Sequence, residues 1–352
     1  MKAPTTFDIY LLRGEDGVFD AQGLLETLSQ SPIRSSADDP TRYVYSNPDT
    51  GVFFQVLLAP EVLASWGRDA RAEEETPTDE LTEEEDPGEE DPGEEDSREE
   101  DPGADDAEDA APLEIPPVTL AVPFGTPSFF GTEAAVLAEK MAHAARLRIE
   151  HSSFAPDPAE GPAGSGKTRN DALVESWMSS NRAAVSASRH PGSLEEWSLD
   201  RAQYWLAYGS SCKALDAELG EEGVHVPRLQ AARYQGKLVS LIPWEEGMPS
   251  VFPRTDLVLI RRERDRKGFL FTRRVTEEGL VSGDKIWDIL APSSEVREAP
   301  ARLLIFREAR NPPQQVAAQL EMLPLESVDN AKRTVLLGVV DFEISEGGEA
   351  AK

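Results

Sequence analysis

The residues Gly161-Pro162-Ala163-Gly164-Ser165-Gly166-Lys167-Thr168 fit the pattern G-x-x-x-x-G-K-[ST] letter for letter. In a phosphate-binding loop the glycines let backbone N–H groups curl around phosphates. The lysine, here Lys167, reaches the β and γ phosphates, and the hydroxyl of Thr168 holds magnesium. A distant apolar run, Val335 to Val340, leads into Asp341 and resembles the strand that ends in a magnesium-associated acid. The approach to the motif argues the other way. Ala155-Pro156-Asp157-Pro158-Ala159-Glu160 is polar and broken by two prolines, so it is no buried parallel strand. Nucleotide binding through Gly166, Lys167 and Thr168 is therefore the alternative expectation, and a Gly/Pro-rich surface loop is the first.

A second charged motif is Arg261-Arg262-Glu263-Arg264-Asp265-Arg266-Lys267. Strands Leu257 to Ile260 and Phe269 to Phe271 flank it, so a hairpin with a basic tip is expected. Such a tip would receive phosphates, an acidic partner or the protein's own acidic residues. The competing reading is a solvated hairpin end that protects an edge strand. Arg261, Arg262, Arg264, Arg266 and Lys267 are the candidate partner-binding residues.

Other chemistry is thin. His143, His151, His190 and His225 are scattered without metal-ligand spacing, and a lone cysteine excludes an intramolecular disulfide framework and a Cys-based zinc site. Cys212 falls within an apolar helical stripe, where a thiol behaves as a small hydrophobe. No cofactor, metal or catalytic residue is expected.

The elements that must position these residues divide around an acidic tract. Glu73 to Asp109 holds 22 Asp and Glu against Arg98 alone, about 21 of the chain's 31 net negative charges. Pentads such as Glu84-Glu85-Asp86-Pro87-Gly88 repel one another and break helix and strand alike, so the tract is expected to be an extended, disordered loop. The overall negative charge disfavours direct nucleic-acid binding. Met1 to Arg13 contains no apolar stretch of signal-peptide length, and the apolar runs fall far short of a bilayer span, so a soluble cytoplasmic protein is expected. Arginine outnumbers lysine 26 to 9, a bias expected of a GC-rich bacterial genome.

Before the tract the sequence predicts a strand at Phe7 to Leu12 and a helix capped by Asp20. A hairpin follows, turning at Asn47-Pro48-Asp49-Thr50-Gly51. After the tract come a strand at Val118 to Val122, a helix capped by Thr132 and a strand at Leu147 to Ile149. The order predicts a ferredoxin-like α+β sandwich over residues 1–150, with the acidic insertion at 70–113 extruded between two strands. A Gly/Pro-rich loop at 151–169 leads to a helical segment packed on a β-rich domain over 170–346, then a flexible tail at 347–352. Thr168 or Asn170 is expected to cap a helix carrying Leu173, Trp177 and Val185. A longer one is expected to begin at Ser193, which has capping-box spacing to Glu196, and to end before Gly220. Strands are expected at Lys237 to Ile242, Asp256 to Arg261, Gly268 to Arg274, Leu303 to Phe306 and Val335 to Ile344. Gln314 to Met322 fits a strand or a short helix. The functional expectation is a non-enzymatic interaction protein, an adaptor or an inhibitor of immunity-like role. Its unidentified protein partner would be basic, and neither nucleic acid nor membrane is expected as a partner.

Overall fold

The computed structural model describes residues 5–14, 17–30, 32–64, 115–152, 169–188, 194–267 and 272–342. The acidic tract, the Gly161 to Thr168 motif, Ser193, residues 268–271 and the tail at 347–352 lie outside the described residues.

The N-terminal part runs β1 (Thr6–Arg13), α1 (Ala21–Ser29), β2 (Ile33–Ser35), β3 (Arg42–Ser46), β4 (Phe53–Leu58), β5 (Val118–Pro123), α2 (Phe129–Ala145) and β6 (Leu147–His151). Its sheet has the order β2-β3-β4-β5-β1-β6. Strand β1 is antiparallel to both β5 and β6, and β4 is antiparallel to β5. β4 therefore runs parallel to β1, and β6 parallel to β5. Strands β5 and β6 are joined across the sheet by α2, and β1 reaches β4 through α1 followed by β2 and β3. This is the ferredoxin-like sandwich, extended at one edge by β2 and β3. Alternation decides which face is covered: Phe7, Ile9 and Leu11 of β1 are buried with Phe54, Val56, Leu120 and Val122. Asp20 caps α1 as expected, its carboxylate accepting from the Gly23 N–H at 2.9 Å.

The remainder continues with α3 (Arg169–Ser186), β7 (Glu195–Glu196), α4 (Leu199–Leu219), β8 (Gln230–Tyr234), β9 (Lys237–Glu245), β10 (Ser250–Pro253), β11 (Leu257–Lys267) and β12 (Thr272–Ser282). It ends with α5 (Gly283–Leu290), β13 (Glu295–Arg297), β14 (Leu303–Phe306), α6 (Gln314–Glu321), β15 (Ala331–Thr334) and β16 (Val339–Val340). A mixed sheet has the order β12-β11-β9-β8-β15, in which only the β9–β11 pair is parallel. A smaller antiparallel sheet has the order β10-β14-β13.

Helix α4 locks this region to the first. Its buried stripe, Trp205, Tyr208, Cys212, Leu215 and Leu219, follows the helical period read from the sequence. The Trp205 indole N–H donates to the Thr50 carbonyl at 2.7 Å. Gly209 lies so close to the 47–51 turn that a Cβ there would stand 2.4 Å from the Asp49 carbonyl oxygen. On α3, the fully buried Asn181 accepts from the Gly125 N–H at 2.8 Å and donates to the Thr126 carbonyl at 2.9 Å. One buried apolar cluster runs from Phe7 to Val339, so both parts of the chain share a core. No described helix is long and apolar enough to cross a membrane.

Several sequence expectations are corrected. Helix α4 starts at Leu199, not at Ser193, with Ser198 accepting from the Arg201 N–H at 3.2 Å. Residues Glu195 and Glu196 instead pair with Val339 and Val340, and the Glu195 carboxylate accepts from the Leu238 N–H and from Arg233. A tertiary pairing outcompetes the local capping box. Of the strand expected at Val335 to Ile344, the described residues up to 342 form only β16, which pairs with β7, and Glu343 and Ile344 lie outside the described residues. Helix α2 starts at Phe129, ahead of Thr132, because its cap arrives from the other end of the chain. Gln314 to Glu321 is the short helix of the two readings offered for it. Strands β2, β8, β10, β13 and β15 and the amphipathic helix α5 are additional to the elements expected from the sequence.

Candidate functional site

The basic run lies along a strand, not at a tip. β11 and β12 pair over their whole length, from Leu257↔Ser282 to Lys267↔Thr272. Alternation therefore sends Arg262 and Arg264 to one face and Arg261, Glu263 and Asp265 to the other. Arg262 is buried. Its guanidinium donates to Glu277, its direct cross-strand partner, at 3.1 Å and to the Leu320 carbonyl at 3.0 Å. Arg264 pairs with Glu246 at 2.8 Å. On the opposite face Arg274 of β12 pairs with Glu263 at 3.3 Å and Asp265 at 3.8 Å.

Arg261 is exposed opposite Glu278. The backbones of Arg266 and Lys267 belong to β11, and their side chains lie outside the described residues. A cleft of about 430 Å³ does form here, but Arg261, Arg262 and Arg264 meet Glu245, Glu246 and Glu263 in its walls. The positive charge of the run is offset by its own Glu263, by Glu245 and Glu246 at the end of β9 and in the turn after it, and by Glu277 of β12. The five candidate residues thus share one hairpin, and two of them are committed to internal ion pairs.

The flanks of the phosphate-loop motif are placed even though Gly166, Lys167 and Thr168 are not among the described residues. Strand β6, which precedes it, is an edge strand antiparallel to β1. Helix α3 follows from Arg169. A phosphate loop instead leaves a central parallel strand. The distant acid is also occupied. Asp341 is buried, and its carboxylate accepts from the Ser128 N–H at 2.9 and 3.1 Å and from the Ser128 hydroxyl. It satisfies a donor at the start of α2 that no intrahelical carbonyl reaches.

The ends of the acidic segment have a definite geometry. Leu58 of β4 and Val118 of β5 are direct antiparallel partners, and the Ala59 N–H donates to the Pro117 carbonyl at 2.9 Å. The chain leaves and re-enters the sandwich at neighbouring strands.

Isolated nucleophiles and ligands stay isolated. Cys212 is buried between the helix and its support, and burial pushes its thiol up to about 11. His151 stacks on Phe7 with ring centroids 5.4 Å apart, and its Nδ1 lies 3.4 Å from the Ser176 hydroxyl. His143 and His225 are exposed and far apart in the chain. Among the described residues no three His, Cys, Asp or Glu side chains are grouped to hold a metal ion.

A second cleft, of about 540 Å³, opens where α2 faces α4 over the end of β3. Glu133 stands in its wall. One carboxylate oxygen accepts from the Tyr45 hydroxyl at 2.8 Å and the Asn47 amide at 3.1 Å, and the other accepts no hydrogen bond among the described residues. Burial, and then the Glu133 charge, raise the Tyr45 phenol well above its ordinary value, so Tyr45 is a neutral donor. Lys140 and Lys213 line the same cleft. Nothing in the sequence flagged this group, because its members come from β3, the following turn and two helices. The only local signal is the spacing of Glu133 and Lys140, seven residues apart on one helix face. No protein family, curated protein or solved structure compared with the chain matches it.

Proposed function

We propose that this is a non-enzymatic interaction protein, an adaptor or inhibitor, that docks a basic protein surface through its acidic segment. The pairing of Leu58 with Val118 carries the reading. It ties both ends of a segment rich in Asp and Glu to adjacent strands of the ferredoxin-like sheet, so the sandwich presents the charge as a closed arm from one point. Long-range attraction from such an arm accelerates encounter with a basic partner and is screened over about 8 Å at physiological salt.

The test compares the full chain with a variant lacking residues 73–109. Partners are captured from native lysate, identified, and titrated with each protein by calorimetry at low and high salt. The expected result is tight, salt-sensitive binding by the full chain that weakens at least about tenfold in the deletion variant. Equal affinity for the two proteins would overturn the reading.

A further inference from the structure

Three clefts differ in how their charges are used. In the cleft beside α4 and β9, of about 280 Å³, Arg201 pairs with Asp256 at 2.5 Å and Arg254 with Asp284 at 3.2 Å. In the hairpin cleft Arg262 and Arg264 pair with Glu277 and Glu246. In the cleft between α2 and α4 the opposite charges do not meet. Glu133 is held only by the neutral donors Tyr45 and Asn47, and no cation pairs with it among the described residues. Lys140 donates to the neutral Gln30 side chain, and Lys213 has no carboxylate partner among the described residues.

The fourth charged side chain there, Asp49, is already paired with Arg228 at 2.5 Å. Glu133 and Lys140 are two helical turns apart, about 10 Å along α2, which is why they cannot neutralise each other. Between them the wall is apolar: Val136 is 58% exposed, and Leu137, Ile33 and Leu206 complete the surface.

We propose that this cleft binds a small elongated zwitterion, with a protonated amine at Glu133, an apolar spacer over Val136 and Leu206, and a carboxylate between Lys140 and Lys213. Size, apolar walls and a few placed polar groups are the general properties of small-molecule sites, which concentrate where two structural units meet. The charge arrangement selects among ligands. An amine at Glu133 adds a charge-assisted hydrogen bond where the protein supplies neutral donors only. An acid between the lysines replaces contacts that are now to a neutral amide and to solvent. A molecule carrying one charge gains one of these contacts, and a molecule with its charges too close together gains one at a time.

Calorimetric titration of the full chain with ω-amino acids from 4-aminobutanoate to 8-aminooctanoate tests this, with hexanoate and hexylamine as controls. Affinity is expected to pass through an optimum with chain length. The best ω-amino acid is expected to bind at least about tenfold more tightly than either control. Glu133→Gln, which keeps an oxygen for Tyr45 and Asn47, should abolish the advantage over hexanoate. Lys140→Met with Lys213→Met, both at exposed positions, should abolish the advantage over hexylamine. The wild-type comparison needs no variant, and thermal melts check that each variant is folded. The proposal is overturned if wild type binds zwitterion and controls alike, or binds none of them. It is equally overturned if folded variants leave the selectivity unchanged.

Discussion

Two buried side chains show how single residues join this molecule. Asn181 uses both halves of its amide on backbone that leads into α2, one bond at Gly125 and one at Thr126. Removing it strands a buried N–H and a buried carbonyl, each of which costs about 1–3 kcal/mol when left unpaired. Asn181→Ala is expected to lower stability by roughly 2–4 kcal/mol, read from chemical denaturation with an unchanged slope. Cys212 makes the contrasting case. Its thiol is raised to about 11 mainly by burial, above the ordinary thiol value of about 8.5 that the unfolded chain would show. The protonated thiol therefore contributes stability fully below pH about 8.5, and that stability is lost as pH rises toward 11. At neutral pH Cys212 is expected to resist iodoacetamide until denaturant unfolds the protein. Rapid native-state alkylation would contradict its placement.

At the scale of elements, the junctions explain what local pattern could not. Helix α1 was legible because Asp20 and its leucines lie within one short segment. Helix α2 was legible in its apolar face but not in its start, since the acid that receives the Ser128 N–H is 213 residues downstream. Helix α4 is legible in its stripe but not in its cap, because Glu195 and Glu196 are drawn into pairing with β16. The contact of α4 with the 47–51 turn requires a residue without a Cβ at 209. Gly209→Ala places a methyl 2.4 Å from a backbone oxygen, so helix or turn must shift. Overpacking of this kind costs about 1–3 kcal/mol. A midpoint shift of that size is expected in denaturant, and the same shift should open the cleft lined by Gly209 and Lys213.

Across the whole molecule, the acidic segment and the folded part are thermodynamically separable in the proposed reading. The described core closes without residues 65–114, through the β4–β5 pairing and one continuous apolar cluster. Shortening the connection between two paired strands changes loop-closure entropy only logarithmically, about 0.6 kcal/mol for each halving. Deleting residues 73–109 is therefore expected to move the thermal midpoint by no more than a few degrees in calorimetry. A large drop would show that the tract belongs to the fold.

The sequence by itself determined the α+β class, the ferredoxin-like order of the first part, the strand pair that receives the acidic insertion and the buried fate of Cys212. These follow from turn chemistry, helical and strand period and charge density, all properties of short windows. Tertiary structure alone decided the charge balance of the hairpin, where Glu277 opposes Arg262 in register and Glu246 reaches Arg264 from the turn after β9. It alone turned Asp341 into a helix cap and gathered Tyr45, Glu133, Lys140 and Lys213 around one cleft. Those outcomes depend on which distant segments meet, and a run of charges carries no record of the partners that will face it once the sheets have paired.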